Sequence, residues 1–297
     1  MTKIIECVPN ISEAINKEVV REIIENLKVT GVKILDYSSD TDHNRTVITF
    51  VGDIETVKKG AMQVARDAVR LINLRYHRGT HPRMGAIDVI PFIPVRDVTM
   101  EECIEISKEV GKQIGAELNI PVYLYAESAM SENRRLLPEI RKGEFEGFFE
   151  KIKNPAWAPD FGPSEVHPTA GVTAVGAREF LIAYNINLNT EDINIAKNIA
   201  SSIRESSGGL RFIQAKGMLL SEKKCTQVSI NILNYKKAPL YRIFEIVKME
   251  AARYGITILE SELIGLMPLK AALDSLAFYL QFPELTEEKI IESKIYE

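Results

Sequence analysis

KIIECVPNIS, residues 3–12, reads as a short apolar strand that runs out into polar and turn residues, and the order of elements after it decides the fold. Val19, Val20, Ile23, Ile24 and Leu27 recur at helical spacing over about 17–28. VKILDYS (32–38) and RTVITFVG (45–52) read as two strands joined by a polar loop. A helix over about 54–72 then places Val57, Ala61, Val64, Ala65, Ala68, Val69 and Ile72 on one face, and AIDVIPFIPV (86–95) closes the unit as a strand. The order repeats further on. FLIAYNINLN (180–189) matches the first strand, and Thr190 or Asp192 is placed to cap a helix carrying Ala196, Ile199, Ala200 and Ile203. LRFIQAKGMLL and TQVSINILNY form a strand pair, a helix starts at Pro239, and ITILESELIG (256–265) supplies the last strand. A β-α-β-β-α-β order occurring twice predicts an α+β protein of two tandem ferredoxin-like subdomains, with antiparallel or mixed sheets and helices on one face. The boundary falls near residue 178, giving subdomains 1–178 and 179–297.

The first half carries additions. A helix over about 101–118 and a strand PVYLYAE (121–127) precede a charged stretch, SENRRLLPEIRKGEFEGFFEKI. NPAWAPDFGPSEVHPTAGVTAVGAR (154–178) shows little periodicity and reads as a long irregular segment, ordered by Trp157 and Phe161 and functional in character.

Composition narrows the classes. The 297 residues are 45% hydrophobic and 26% charged, which excludes a disordered chain. No apolar run approaches the length of a membrane span, and Glu6 and Pro9 interrupt any secretory signal at the start. A cytoplasmic location is the resulting expectation. Cys7, Cys103 and Cys225 are odd in number and far apart, so neither a disulfide framework nor a zinc site is expected. A net charge of −4 with no basic stripe argues against nucleic acid.

The densest chemistry lies in NLRYHRGTHPRMGAIDVIPFIP (73–94), a loop running into a strand. His77 and His81 are four apart, but Gly79 and Pro82 break any helix and Arg75, Arg78 and Arg83 would repel a dication, so no metal is expected. The alternatives are a solvated basic turn or an anion-handling site with histidine acid–base chemistry. The tip SDTDHN with Asp40, Asp42, His43, Asn44 and Arg45 is either a solvated turn or a set of polar substrate contacts. GPSEVHPTAG (162–171) is either a structural wrap or a loop whose backbone approaches a ligand.

HRGTHPRMGAIDVIPFIPV, together with ECVPNISE, NRTV, IPVYLYAE, WAPDFGPS and FLIAYNINL, resembles the formiminotransferase family over nearly the whole chain. The resemblance implies transfer of a formimidoyl group between N-formimidoyl-L-glutamate and N5 of tetrahydrofolate, a step of histidine breakdown. It also implies two ferredoxin-like subdomains with a ligand cleft between them. The family's catalytic histidine corresponds to His81. Its folate loop corresponds to Gly162, Pro163, Ser164, Glu165, Val166, His167, Pro168, Thr169, Ala170 and Gly171.

Tetrahydrofolate, polyglutamylated or not, is then a co-substrate, no metal is involved, a homodimer is expected, and a cyclodeaminase would be a separate chain. On this reading Asp40 or Asp42 orients the histidine, and Arg45, Arg78 and Arg83 are candidate forks for the glutamate carboxylates, with His43, Asn44 and His77 beside them. No residue separates formimidoyl from formyl transfer, which would use 5-formyltetrahydrofolate. A folate-binding protein without catalysis is the alternative from outside the enzymes.

Overall fold

A computed structural model describes residues 3–295 as two compact units, one ending at Arg178 and the other beginning at Glu179. In the first, β1 (Ile4–Cys7) and β2 (Asn10–Ile11) are one strand line broken at Pro9, which has no N–H to give to a ladder. Helix α1 (Lys17–Val29) starts where the Asn16 side chain accepts from the Glu18 and Val19 N–H groups, and it buries Val20, Ile23, Ile24 and Leu27. Strands β3 (Lys33–Asp40) and β4 (Arg45–Gly52) come next, then α2 (Ile54–Leu71), capped by Asp53, then β5 (Ile87–Arg96). Those elements form an antiparallel sheet in the spatial order β3, β4, β1 with β2, β5. That is the ferredoxin-like order, with the first and third strands of the unit side by side in the middle and the second and fourth outside them.

Helix α3 (Met100–Leu118) opens on a capping box between Thr99 and Glu102. It leads to β6 (Val122–Ala126), and short helices α4 (Leu137–Arg141) and α5 (Glu144–Lys151) occupy the charged stretch. The segment 154–178 is not irregular throughout, as its sequence suggests. Thr173–Ala177 forms β7, a fully buried strand inserted parallel between β5 and β6. TAVGA alternates in nothing because a parallel strand covered on both faces need not alternate. Ahead of it, the WAPDFGP stretch is clipped to β6. Asp160 accepts from the Leu124 N–H and from Arg134, Arg134 also donates to the Ala156 and Ala158 carbonyls, and the Tyr123 hydroxyl donates to the Trp157 carbonyl.

The second unit is β8 (Ile182–Leu188), α6 (Ile193–Ile203), β9 (Ile213–Leu220), β10 (Cys225–Ile232), α7 (Leu240–Ala252) and β11 (Ile258–Ile264). Its four strands are all antiparallel in the order β11, β8, β10, β9, the same ferredoxin-like order without additions. Asp192 rather than Thr190 caps α6, accepting from the Asn194 N–H. Ile182, Ile186, Val228 and Ile230 pack with Ile199, Ile203, Ile243 and Val247 in one core. Helix α8 (Leu269–Leu280) ends the larger elements.

Candidate active site

The loop between α2 and β5 is built from its own histidine outward. His77 is buried, its Nε2–H donating to the Asn44 carbonyl at 2.9 Å while Nδ1 accepts from Arg83 Nε at 3.1 Å. The guanidinium of Arg83 continues to Glu146 at 2.7 and 3.0 Å and to Glu144 at 3.1 Å. Asn44, in the left-handed region at φ 49°, accepts from the Ala14 and Ile15 N–H groups and donates to the Arg78 carbonyl. Arg78 bonds the carbonyls of Arg75 and His77, and the Asp42 carbonyl accepts from the Thr80 N–H. The hairpin tip and the histidine loop, separate motifs in the sequence, are therefore one structure. Of the residues read there as substrate contacts, Asn44, His77 and Arg83 are struts of that structure.

His81 sits inside this frame, buried at 5% exposure. Its Nε2 lies 3.5 Å from Asp88 Oδ2, and its Nδ1 lies 3.5 Å from a terminal nitrogen of Arg45. Asp88 is fully buried. Asn10 pairs with Val89 and Ile11 with Ile87, so Asp88 is the extra residue of a β-bulge, the device by which strands re-aim side chains beside sites. Its Oδ1 accepts from the Met84 N–H at 2.8 Å, and its Oδ2 takes Arg141 Nε at 2.9 Å and a second, closer Arg141 N–H. Burial alone would push this carboxyl up, but Arg141, His81 and the Met84 N–H hold it well below the usual carboxylate range. Burial pulls His81 down more than Asp88 raises it, so the imidazole is neutral in neutral water and free to accept a proton.

This corrects the reading of the acidic tip. Asp40 faces His43, with 2.7 Å between Oδ2 and Nδ1, and Asp88 is the carboxylate at His81. Arg45 is half-buried, and its Nε is buried without a hydrogen-bond partner. Cys7 is core, its thiol pushed well up by burial.

The loop 162–171 is stitched to the histidine loop. Leu74 N–H donates to the Thr169 carbonyl, Ala86 N–H to the Ala170 carbonyl, and Val172 N–H to the Met84 carbonyl. Arg75 Nε reaches the Pro168 carbonyl at 2.8 Å. His167 and Gly171 exchange backbone hydrogen bonds, and His167 Nδ1 accepts from the Ala170 N–H at 3.0 Å. Val166 and Ala170 are buried, Pro163 and Thr169 are half-buried, and Gly162, Ser164, Glu165 and Pro168 are exposed.

Residues 4–178 match the formiminotransferase domain, N-terminal subdomain, and residues 183–296 match the formiminotransferase domain. The chain belongs to the formiminotransferase family. It is 48% identical to the glutamate formimidoyltransferase of Streptococcus pyogenes, with 98% of each chain covered. Against the glutamate formimidoyltransferase of Thermoplasma acidophilum it is 46% identical, covering 98% of this chain and 97% of the other. The rat formimidoyltransferase-cyclodeaminase is 46% identical over 94% of this chain and 53% of its own length. Among the described residues of this family member, no three His, Cys, Asp or Glu side chains converge as a metal site, and no helix is long and apolar enough to cross a membrane. Asp88 and Arg141 are the site residues that motif reading passed over. The signal for the first was present, since Asp88 is the one carboxylate in the apolar run AIDVIPFIPV.

Proposed function

We propose that this chain transfers the formimidoyl group between N-formimidoyl-L-glutamate and N5 of tetrahydrofolate, with His81 carrying the proton. One observation supports the role of His81 above the others. A buried histidine stands 3.5 Å from a buried carboxylate on one side and 3.5 Å from a guanidinium on the other, in a chain alike over nearly its whole length to enzymes named for this transfer.

In the direction of folate, N5 attacks the amidine carbon and a C–N bond forms. The N5 proton passes to the imidazole, which returns it to the glutamate nitrogen as the second C–N bond breaks and its electron pair goes to that nitrogen. Glutamate leaves as the amine, and His81 ends as it began. A single imidazole, able to take a proton and give it back, serves both transfers. Arg45 is the guanidinium placed to take a glutamate carboxylate, as a donor-only fork suits that anion. The loop Gly162–Gly171 supplies the folate contacts, held against the histidine loop by the backbone bonds described above.

The test is turnover of tetrahydrofolate with N-formimidoyl-L-glutamate, beside a parallel reaction with N-formyl-L-glutamate. His81→Ala is expected to lower turnover by about 10²–10⁴ while tetrahydrofolate still binds. Turnover at the wild-type rate in that variant, with both substrates saturating, would remove His81 from the chemistry. Activity only with the formyl donor would replace the formimidoyl reading.

A further inference from the structure

The two ring nitrogens of His81 have opposite neighbours. Nε2 is buried, has no partner within hydrogen-bond geometry, and faces Asp88 Oδ2 from 3.5 Å. Asp88 has nothing to donate, because the Met84 N–H and two Arg141 N–H groups occupy its oxygens as donors to an anion. On the other side Nδ1 faces a guanidinium nitrogen of Arg45 at 3.5 Å, and a guanidinium can only donate. With the proton on Nδ1, an N–H would meet an N–H there, and a bare Nε2 lone pair would meet a carboxylate here. With the proton on Nε2 both contacts are favourable.

We infer that Asp88 is a positioning residue that holds His81 in its Nε2–H form, so that Nδ1 is the atom that takes and returns the proton of formimidoyl transfer. This rests on the transfer proposed above and goes beyond it by assigning the working atom and its support. The bulge at Asp88 aims the carboxylate, and Arg141 of α4 holds it through Oδ2, the same oxygen that faces His81. Arg45 of β4 lies against Nδ1. Drawing that guanidinium onto a glutamate carboxylate uncovers the lone pair, so the base is exposed when its substrate is seated. When Nδ1 is protonated, the imidazolium Nε2–H faces Asp88 and the 3.5 Å separation closes towards a hydrogen bond, as catalytic contacts do on going to the working complex. Beyond Asp88, Arg141 and Arg45, His43 and its partner Asp40 stand at the hairpin tip, the His43 ring lying 6.5 Å from that of His81.

Two measurements on the full chain test this. In histidine-¹⁵N-labelled protein near neutral pH, the His81 pair, identified by its loss in His81→Gln, is expected to show a protonated Nε2 and a bare Nδ1. A proton on Nδ1, or an even mixture of the two forms, overturns the inference whatever the turnover. Asp88→Asn is expected to lower kcat by about 10²–10⁴ with both KM values little changed. Because the carboxylate favours the imidazolium, its removal also moves the acidic limb of the kcat/KM profile to lower pH. An unchanged kcat, or a loss of rate with the acidic limb in place, overturns the positioning role. The wild-type spectrum decides the question even if Asp88→Asn does not fold. Failure of the wild-type protein to turn over formimidoylglutamate would count against the proposed function and leave the spectrum standing.

Discussion

Arg45 and Arg83 carry the same guanidinium into different surroundings, and the roles proposed for them divide on that difference. Arg83 is committed at every nitrogen, to His77, Glu144 and Glu146. Its two carboxylate partners are 46% and 65% exposed, so water screens those pairs and the bond to buried His77 matters most. Arg83→Met is expected to cost about 1–2 kcal/mol of stability and to leave the KM for formimidoylglutamate near its wild-type value. Among the described residues, the Arg45 side chain has only the long contact to His81 and a buried, unpartnered Nε. Its side chain is therefore available to a substrate carboxylate. A charge-assisted hydrogen bond is worth about 1.5–3 kcal/mol, so Arg45→Met is expected to raise that KM by about 10–100-fold with little change in melting temperature. Steady-state kinetics beside thermal unfolding separate the two. If Arg83→Met instead gave the large KM effect, the assignment of these arginines would have to be exchanged.

Two loops hold each other in place through glycine. Gly85 and Gly171 face one another in an antiparallel bridge, and a Cβ on Gly171 would stand 2.2 Å from the Met84 carbonyl. Gly171 also has φ +71°, where any side chain costs about 1–2 kcal/mol before the overlap is counted. Gly171→Ala is expected to spread the 162–171 loop from the histidine loop, weakening tetrahydrofolate binding as well as stability. Equilibrium dialysis against the folate shows it, and wild-type affinity in the variant would mean that the bridge does not shape the folate contacts.

At this same scale the sequence was readable wherever burial imposed a period. The α1, α2, α6 and α7 stripes and both β-α-β-β-α-β orders arise from which residues must face a core. β7 was hidden because a strand buried on both faces has no alternation to show. The carboxylate beside His81 escapes the sequence for a related reason. Asp40 and Asp42 cluster visibly with polar neighbours, but the tip satisfies itself through His43. Asp88, alone in an apolar strand, acts through a bulge and through an arginine more than fifty residues away. No local pattern encodes that pairing.

On the scale of the molecule, all four histidines lie in the first unit, and burial lowers the pKa of His77, His81 and His167. A histidine whose folded pKa is depressed is protonated more readily in the unfolded chain. Its contribution to stability is present above the unfolded value of about 6.5 and is lost as pH falls from there towards the folded value. Each such histidine gives a slope of up to about 1.4 kcal/mol per pH unit in that window. Other shifted groups do not reproduce it. Asp88, lowered by Arg141, His81 and the Met84 N–H, loses its contribution only at far more acidic pH. Lys151, pulled down to about 8 by burial, acts above the window, where its contribution rises with pH. Glu6, raised by burial, works in the opposite sense and is one group against three.

The single tryptophan, Trp157, lies in the first unit and reports its unfolding by fluorescence. The urea midpoint seen at Trp157 is therefore expected to fall between about pH 7.5 and about pH 5.5. His77→Gln should shrink that fall by removing one of the three depressed sites, whatever it does to the midpoint at the higher pH. Backbone exchange in the second unit, corrected for its intrinsic pH dependence, should not take the same course, because that unit contains no histidine to titrate there. A Trp157 midpoint that holds level across the window, or a fall that His77→Gln leaves at full size, would show that the buried imidazoles of the histidine loop are not what ties the first unit's stability to pH.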